Sequence, residues 1–313
     1  FSLIMTRATY STNNPDRKFN YQAGTDISLD GASGKRILNT TQSIQDYALF
    51  GSTEYKPIDG INIRPGIRYA YNSRYQAPLV PSLSVKALHG KTTYRASYAR
   101  GFRAPGLKEL YFYFIDINHN IQGNINLKAE RSHNIQLSAT RQFKTANTQT
   151  TINANVYANY ITNLITLAQV TTTEYSYINI GKYRNMGIQG EISSTWKGLT
   201  ASVGGSLLQS VSTLIKNEAA GKYEEVESPK AYTPEMRGSI GYRFEKIKLT
   251  VNLFGKYYGK QTGYAFNSSS NIIPNSIAPY TLADLTANKV LGKYFNLSAG
   301  IKNLLDVQSV KNS

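Results

Sequence analysis

The sequence contains no cysteine, which removes disulfide frameworks and thiolate-bound metal from consideration. It has three histidines, His89, His119 and His133, so any imidazole chemistry falls on one of them. Acidic residues number 19 against 35 lysines and arginines, and neither an Asp-x-Asp-x-Asp-Gly calcium loop nor a glycine-rich phosphate loop occurs. No apolar run approaches the roughly 18–20 residues that a membrane-crossing helix requires. Any crossing is therefore made by strands. The net charge of +16 raises nucleic acid as a partner, yet basic residues never cluster beyond pairs such as Arg17-Lys18 and Lys35-Arg36. No basic helix or aromatic-basic RNA motif accompanies them, which argues against nucleic-acid binding. Two uses of the charge stay open. One is a water-filled lumen with loops that attract anionic solutes or lipopolysaccharide phosphates; the other is a basic, evenly solvated surface.

What the sequence does have is alternation. Fourteen stretches place apolar and polar residues in turn, near 1–12, 19–29, 42–56, 61–71, 81–88, 92–101, 133–143, 149–165, 176–196, 199–212, 236–245, 248–260, 280–291 and 294–304. Within 61–72, Ile61, Ile63, Pro65, Ile67, Tyr69 and Tyr71 point one way, and Asn62, Arg64, Gly66, Arg68, Ala70 and Asn72 the other. Within 151–161, Ile152, Ala154, Val156, Ala158 and Tyr160 oppose Thr151, Asn153, Asn155, Tyr157 and Asn159. Ile188, Ile192 and Trp196 likewise oppose Gln189, Glu191, Ser193 and Thr195. A period of two repeated this often excludes a helical protein. One face suits lipid and the other water, and a strand tilted about 45° crosses a membrane in roughly 9–11 residues. A closed sheet is the only one that leaves no unpaired backbone edge in lipid. The expected fold is therefore all-β, an antiparallel transmembrane β-barrel.

The gaps alternate too. Short ones carry turn chemistry: Asn13-Asn14-Pro15-Asp16, Pro57-Ile58-Asp59-Gly60, His89-Gly90-Lys91, Lys197-Gly198 and Gly292-Lys293. Between them lie long segments at 30–41, 72–80, 102–132, 166–175, 213–235 and 261–279. Outer-membrane barrels gather short turns on the periplasmic side and long loops outside, which sets the expected orientation. The 24 tyrosines agree with aromatic girdles at both interfaces. Phe1 opens inside a strand pattern without a signal peptide, and Lys311-Asn312-Ser313 fall where parity expects a long loop. The expectation is a partial barrel over residues 1–313, with strands before it and at least one after it.

The most specific residues lie in the longest loop. Residues 94–111 read YRASYARGFRAPGLKELY, and 123–132 read GNINLKAERS. Residues 299–306, AGIKNLLD, precede the last expected strand. These phrases, in this order and spacing, resemble the TonB-dependent outer-membrane receptors. The matching positions are Phe102, Arg103, Ala104 and Pro105, then Asn124, Asn126, Leu127 and Glu130. Ile125 and Ala129 depart from the pattern, standing where the family favours proline, a change expected to loosen the loop. The resemblance implies a 22-stranded barrel in the bacterial outer membrane, plugged by an N-terminal globular domain. It also implies import of a scarce ligand with energy from TonB and leaves room for a surface lipoprotein partner. About fourteen strands would be present here. The plug, the TonB-contacting segment, the first strands and the last strand would lie outside this sequence.

The resemblance leaves the cargo open among haem, a ferric siderophore and cobalamin, with no intrinsic cofactor. His119, between the two loop phrases, is a candidate axial ligand for haem iron; a polar loop of this length can also hold a histidine by chance. Arg103 could pair with an anionic group of the ligand, or fix the loop against Glu109 or Glu130. Tyr111, Tyr113, Asn124 and Asn126 complete the ligand-binding candidates, with aromatic packing as the alternative for the tyrosines. By parity, Arg64, Arg68, Arg95, Gln189, Glu191, Asp284 and Asn288 face the lumen. Glu224, Glu225 and Glu227 form an acidic patch, either solvated or a weak Ca²⁺ site. No histidine lies in a nucleophile motif, so an outer-membrane hydrolase is the weaker alternative and a passive porin the stronger one.

Overall fold

The computed structural model describes residues 1–117, 120–169, 174–217, 223–266 and 272–308. The first third holds β1 (Ser2–Ser11), β2 (Phe19–Ser33), β3 (Thr41–Tyr55), β4 (Ile61–Asn72), β5 (Val80–His89) and β6 (Thr92–Arg103). A short helix α1 (Leu107–Tyr111) and two short strands, β7 (Tyr113–Ile115) and β8 (Asn120–Gln122), follow. Next come β9 (Glu130–Lys144), β10 (Thr148–Gln169), β11 (Tyr175–Trp196), β12 (Leu199–Asn217) and the short β13 (Tyr223–Glu227). The chain continues through β14 (Ala231–Phe244), β15 (Leu249–Tyr258), β16 (Gln261–Phe266), β17 (Ile272–Ile277), β18 (Tyr280–Leu291) and β19 (Phe295–Ile301). Fourteen of these are the long strands expected from the alternation; β7, β8, β13, β16 and β17 are loop structure. Every long strand pairs antiparallel with the next long strand in the chain.

The pairing register converts the alternation into two faces. One rung joins Ile63, Val85, Ala96, Leu137, Val156, Ile188 and Leu207 across seven strands. The neighbouring rung joins Asn62, Lys86, Arg95, Ser138, Asn155, Gln189 and Ser206. A slip of one residue in any ladder would mix the two, so each strand's pattern holds its register. The apolar side is the open one: in β10, Ile152, Ala154, Val156 and Ala158 are exposed while Thr151, Asn153, Asn155 and Tyr157 are half-buried. Ile67 and Tyr69 also project outward, at 50% and 60% exposure. A sheet over a water-soluble core has the opposite arrangement. Here lipid is the solvent that the outer face matches.

The ends differ as well. At the turn end, β11 and β12 are joined by Lys197 (φ 48°) and Gly198 (φ 93°), the left-handed pair of a tight hairpin. Aromatic pairs ring this end, among them Phe19 stacked on Tyr55 at 4.7 Å and Tyr242 edge-on to Phe244 at 4.7 Å. Trp196 is half exposed there, with the Lys197 ammonium 5.4 Å from its ring. At the loop end, β2, β10 and β12 run four or five residues beyond the alternating stretches. Above the lipid both faces meet water, so a ladder can continue without keeping parity. That is why pattern alone ended these strands early. Residues 102–132, 213–235 and 261–279, expected as open loops, carry α1, β7 and β8, then β13, then a β16–β17 hairpin.

Candidate functional site

The loop phrase folds into a compact cap at the loop end. Leu110 and Tyr111 on α1, 2% and 5% exposed, pack with Ala32 of β2, Ile37 after it, Ile44 of β3, Leu127 and Ile165 of β10. The helix starts after the buried Pro105, and the Glu109 carboxylate accepts the Gly106 N–H at 2.7 Å, satisfying a donor of the first turn. Gly123 passes so close to α1 that a Cβ would sit 2.6 Å from the Leu110 carbonyl carbon. Its N–H donates to Phe112 O at 2.6 Å, and that of Asn124 to Glu109 O at 2.9 Å.

The second phrase closes by side-chain amides. Asn124 Oδ1 accepts the Asn126 N–H at 2.9 Å, an Asx turn that does without proline at Ile125. Asn124 Nδ2 donates to Tyr177 O at 2.9 Å, tying the turn to β11. Asn179 accepts the Lys128 N–H at 2.7 Å and donates to the carbonyls of Lys128 and Asn163. Tyr75 donates its hydroxyl to Leu127 O at 3.0 Å. Burial pushes that hydroxyl above its ordinary value, which keeps it a donor.

Arg103 holds the cap to the sheet. Its Nε and Nη2 donate to Glu130 at 2.8 and 2.6 Å, and Nη1 donates to both Glu109 oxygens at 3.0 and 2.9 Å. Hydrogen bonding to Glu130 raises the guanidinium above its ordinary range, against the opposing effect of burial, and Glu109 adds to the rise. For Glu130, burial pushes the carboxyl up, but hydrogen bonds from Arg103 and the Ile165 N–H outweigh it and the net direction is down. Both of the structural partners considered for Arg103 are engaged at once.

The inner face carries its own ion pairs. Asp26 bridges Arg7 and Arg68; Glu54 accepts from Asn62 at 3.2 Å and Arg64 at 3.3 Å; Glu191 accepts Arg237 Nε at 2.9 Å; and Lys256 lies 3.1 Å from Glu235. Arg64, Lys86, Arg95 and Gln136 line an inward cleft of about 360 Å³ in which Glu54 is the carboxylate. A smaller cleft brings Gln189 beside Arg237 and Lys256. Asp284 accepts the Asn303 N–H at 2.8 Å, and Asn288 lies two rungs along on the same face.

The site residues expected from sequence thus separate into three groups. Arg64, Arg68, Arg95, Gln189, Glu191, Asp284 and Asn288 all share the polar face. Of the motif positions, Arg103, Pro105, Asn124, Asn126, Leu127 and Glu130 belong to the cap with Ala104 between them in the chain, whereas Phe102 lies on the outer face opposite Arg131; Tyr111 packs in the cap core and Tyr113 donates its hydroxyl to Lys35 O. Packing is therefore the role Tyr111 fills, and backbone anchorage the role of Asn124. His119 lies outside the described residues. His133 is on the outer face with Nδ1 2.8 Å from the Tyr98 hydroxyl, and His89 ends β5 at the turn end. Glu227 pairs with Arg184, and among the described residues no three metal-capable side chains come together. Tyr75, Asn163, Tyr177 and Asn179 belong to the cap although they lie 19 or more residues from its phrases; no local signal marks them.

The family model for "TonB dependent receptor-like, beta-barrel" matches residues 4–304. The chain belongs to the TonB-dependent receptor β-barrel family. The sheet is accordingly an antiparallel β-barrel domain of the bacterial outer membrane. The chain is 24% identical over 297 residues to the ferric enterobactin receptor of Pseudomonas aeruginosa, covering 89% of this chain and 40% of that protein. It is 26% identical over 243 residues to a haemoglobin and haemoglobin-haptoglobin-binding protein of Haemophilus ducreyi, covering 67% of this chain and 25% of that one. Among solved structures, the siderophore receptor PirA of P. aeruginosa superposes with a TM-score of 0.72 at 17% identity, covering 97% of this chain and 52% of that chain. The chain thus spans about half or less of the length of these relatives.

Proposed function

We propose that residues 1–313 are the barrel portion of a receptor that captures an anionic iron complex outside the cell and passes it to the periplasm, with TonB supplying the energy. A globular plug encoded outside this sequence completes the passage. The observation that carries this reading is the inner face: Arg64, Lys86 and Arg95 converge on one cleft against the single carboxylate of Glu54. Such a surface concentrates anions and repels cations. A ferric siderophore fits best, because metal-chelating oxygens leave it negatively charged, and ferric enterobactin is the ligand named for a relative. The cap acts as a rigid frame for the neighbouring loops, with Arg103 spent on Glu109 and Glu130 rather than offered to the ligand.

The full-length receptor, titrated with ferric enterobactin, haemin and cobalamin, tests this. Ferric siderophore binding that weakens in Lys86→Ala and Arg95→Ala is the expected result. A Soret shift with haemin that disappears in His119→Ala would move the cargo to haem and leave the receptor reading intact. Binding of none of the three, with open solute flux in liposomes, would replace the receptor with a passive channel.

A further inference from the structure

One seam of the wall is incomplete. The β3–β4 ladder runs from the Asp46–Asn72 pair to Ser52–Gly66, skips the two pairs that would follow, and resumes at Tyr55–Ile63 in the same register. The residue opposite Thr53 in that register is Pro65, which has no N–H to give. In an antiparallel ladder the N–H and C=O of one residue face one neighbouring strand, and those of the next residue face the other. Because β4 keeps every pair with β5 from Ile61 to Arg68, the missing donor is the one due to β3, and the Thr53 carbonyl is its acceptor.

The gap lies at membrane depth. Tyr55 stacks on Phe19 in the turn-end girdle, and Pro65 stands two residues above its partner Ile63, on the outer face with Ile67. Two steps of a strand tilted about 45° rise roughly 5 Å, which puts the Thr53 carbonyl among acyl chains rather than headgroups. Lipid offers it no donor, and an orphan there is costly. Gly66, next in the chain, has no side chain to pack, and its neighbours across the two ladders are Ser52 and Ser82, so packing does not make good the loss.

What spans the gap is on the inner face. Glu54 and Arg64 are one of the two pairs that the ladder skips, and their side chains meet at 3.3 Å, with Asn62 donating to the same carboxylate oxygen at 3.2 Å. The Glu54 side chain is 21% exposed and that of Arg64 58%, so water screens the pair and it holds the seam with about the strength of a surface ion pair. Both line the cleft in which Lys86 and Arg95 form no ion pair among the described residues. An anion seated there meets Arg64 together with Lys86 and Arg95, and competes with Glu54 for it.

We propose that this seam is the yielding joint of the wall, and that an anion in the cleft unlatches it by drawing the Arg64 guanidinium away from Glu54. The trigger rests on the anionic cargo proposed above; the joint does not. Loosening β4 against β3 while the β4–β5 ladder stays whole makes the wall itself respond to occupancy of the passage.

The test uses the full-length receptor in detergent micelles, read by residue-resolved hydrogen exchange corrected for intrinsic rates. The amides of Thr53, Tyr55 and Ile63 point across the seam, and those of Arg64 and Gly66 point to β5. In the parent, the first group is expected to exchange faster than the second. Pro65→Val returns one hydrogen-bond donor and should slow the first group about fivefold. Glu54→Gln removes the latch and should speed it about threefold. If Pro65→Val does not fold, Pro65→Ala restores the same donor with a smaller side chain and takes its place. Saturating ferric enterobactin should speed seam exchange in the parent and leave it unchanged in Arg64→Gln. Equal exchange by the two groups in the parent, or no slowing when the donor is restored, would overturn the joint. Ferric enterobactin that binds without altering seam exchange would overturn the trigger. Failure of ferric enterobactin to bind would remove the cargo reading and the trigger with it, while the parent, Pro65→Val and Glu54→Gln comparisons still decide the joint.

Discussion

Replacing Arg103 by methionine keeps most of the side-chain volume and removes the cation that serves two carboxylates. Glu130, 13% exposed at its side chain, and Glu109, 19% exposed, would then face each other across the space the guanidinium filled. Removing one partner from a fully buried pair costs about 3–5 kcal/mol, and from a surface pair about 0–1 kcal/mol. Arg103 is 46% exposed, so this clasp lies between those limits, at about 2 kcal/mol. The loss falls on the cap and not on the barrel, because the strand ladders below remain paired. Local opening of the cap should therefore become about 30-fold more frequent, at about 1.4 kcal/mol per factor of ten. Hydrogen exchange reads this at the amides of Leu110, Gly123 and Asn124, which donate within the cap. Arg103→Lys, a point charge unable to fork across two carboxylates, should show an intermediate effect. A change under about threefold would refute the assignment of Arg103 as the clasp, as would an equal rise in the β10 ladder, since both contradict a local opening of this size.

The same clasp predicts a pH dependence with a definite sign. The Glu130 carboxyl titrates below its ordinary 4.5 in the folded state, so its stabilisation is complete above that value and is lost as pH falls through the lower folded value. Cap exchange, corrected for intrinsic rates, should stay level from about pH 8 to about 5 and rise on further acidification, with Glu130→Gln flattening the profile. On the outer face, Ile188→Arg places a charge in lipid and should destabilise the folded protein in vesicles by about 2–4 kcal/mol, measured by urea unfolding. Gln189→Arg, one residue along on the inner face, should cost under about 1 kcal/mol. Equal losses at the two positions would contradict the assignment of faces.

The wall of the barrel was legible because a period of two is a local property. Ile188 and Gln189 differ in polarity for a reason that holds at every step of β11, so parity alone grouped Gln189, Glu191 and Arg95 on one polar face. Strand ends in the loop region were less legible. Where water meets both faces of β10 and β12, the constraint that writes the pattern is gone and only backbone pairing remains. Phrase matching found Arg103, Asn124 and Glu130, yet it did not distinguish a ligand contact from a structural one. That distinction depended on Tyr177 and Asn179, which reach the cap from β11 and leave no mark near the phrases themselves.

Side-chain alternation and turn residues thus determined the strand architecture from the one-dimensional chain, because each arises from neighbours two to four residues apart, and the order of the motif phrases determined the family. Tertiary structure decided what the loop residues touch and which charges become neighbours. Arg103 meets Glu130 across 27 residues, and Arg64, Lys86 and Arg95 become neighbours only when two ladders settle into register. Electrostatic energy depends on distance in space, and only folding sets that distance.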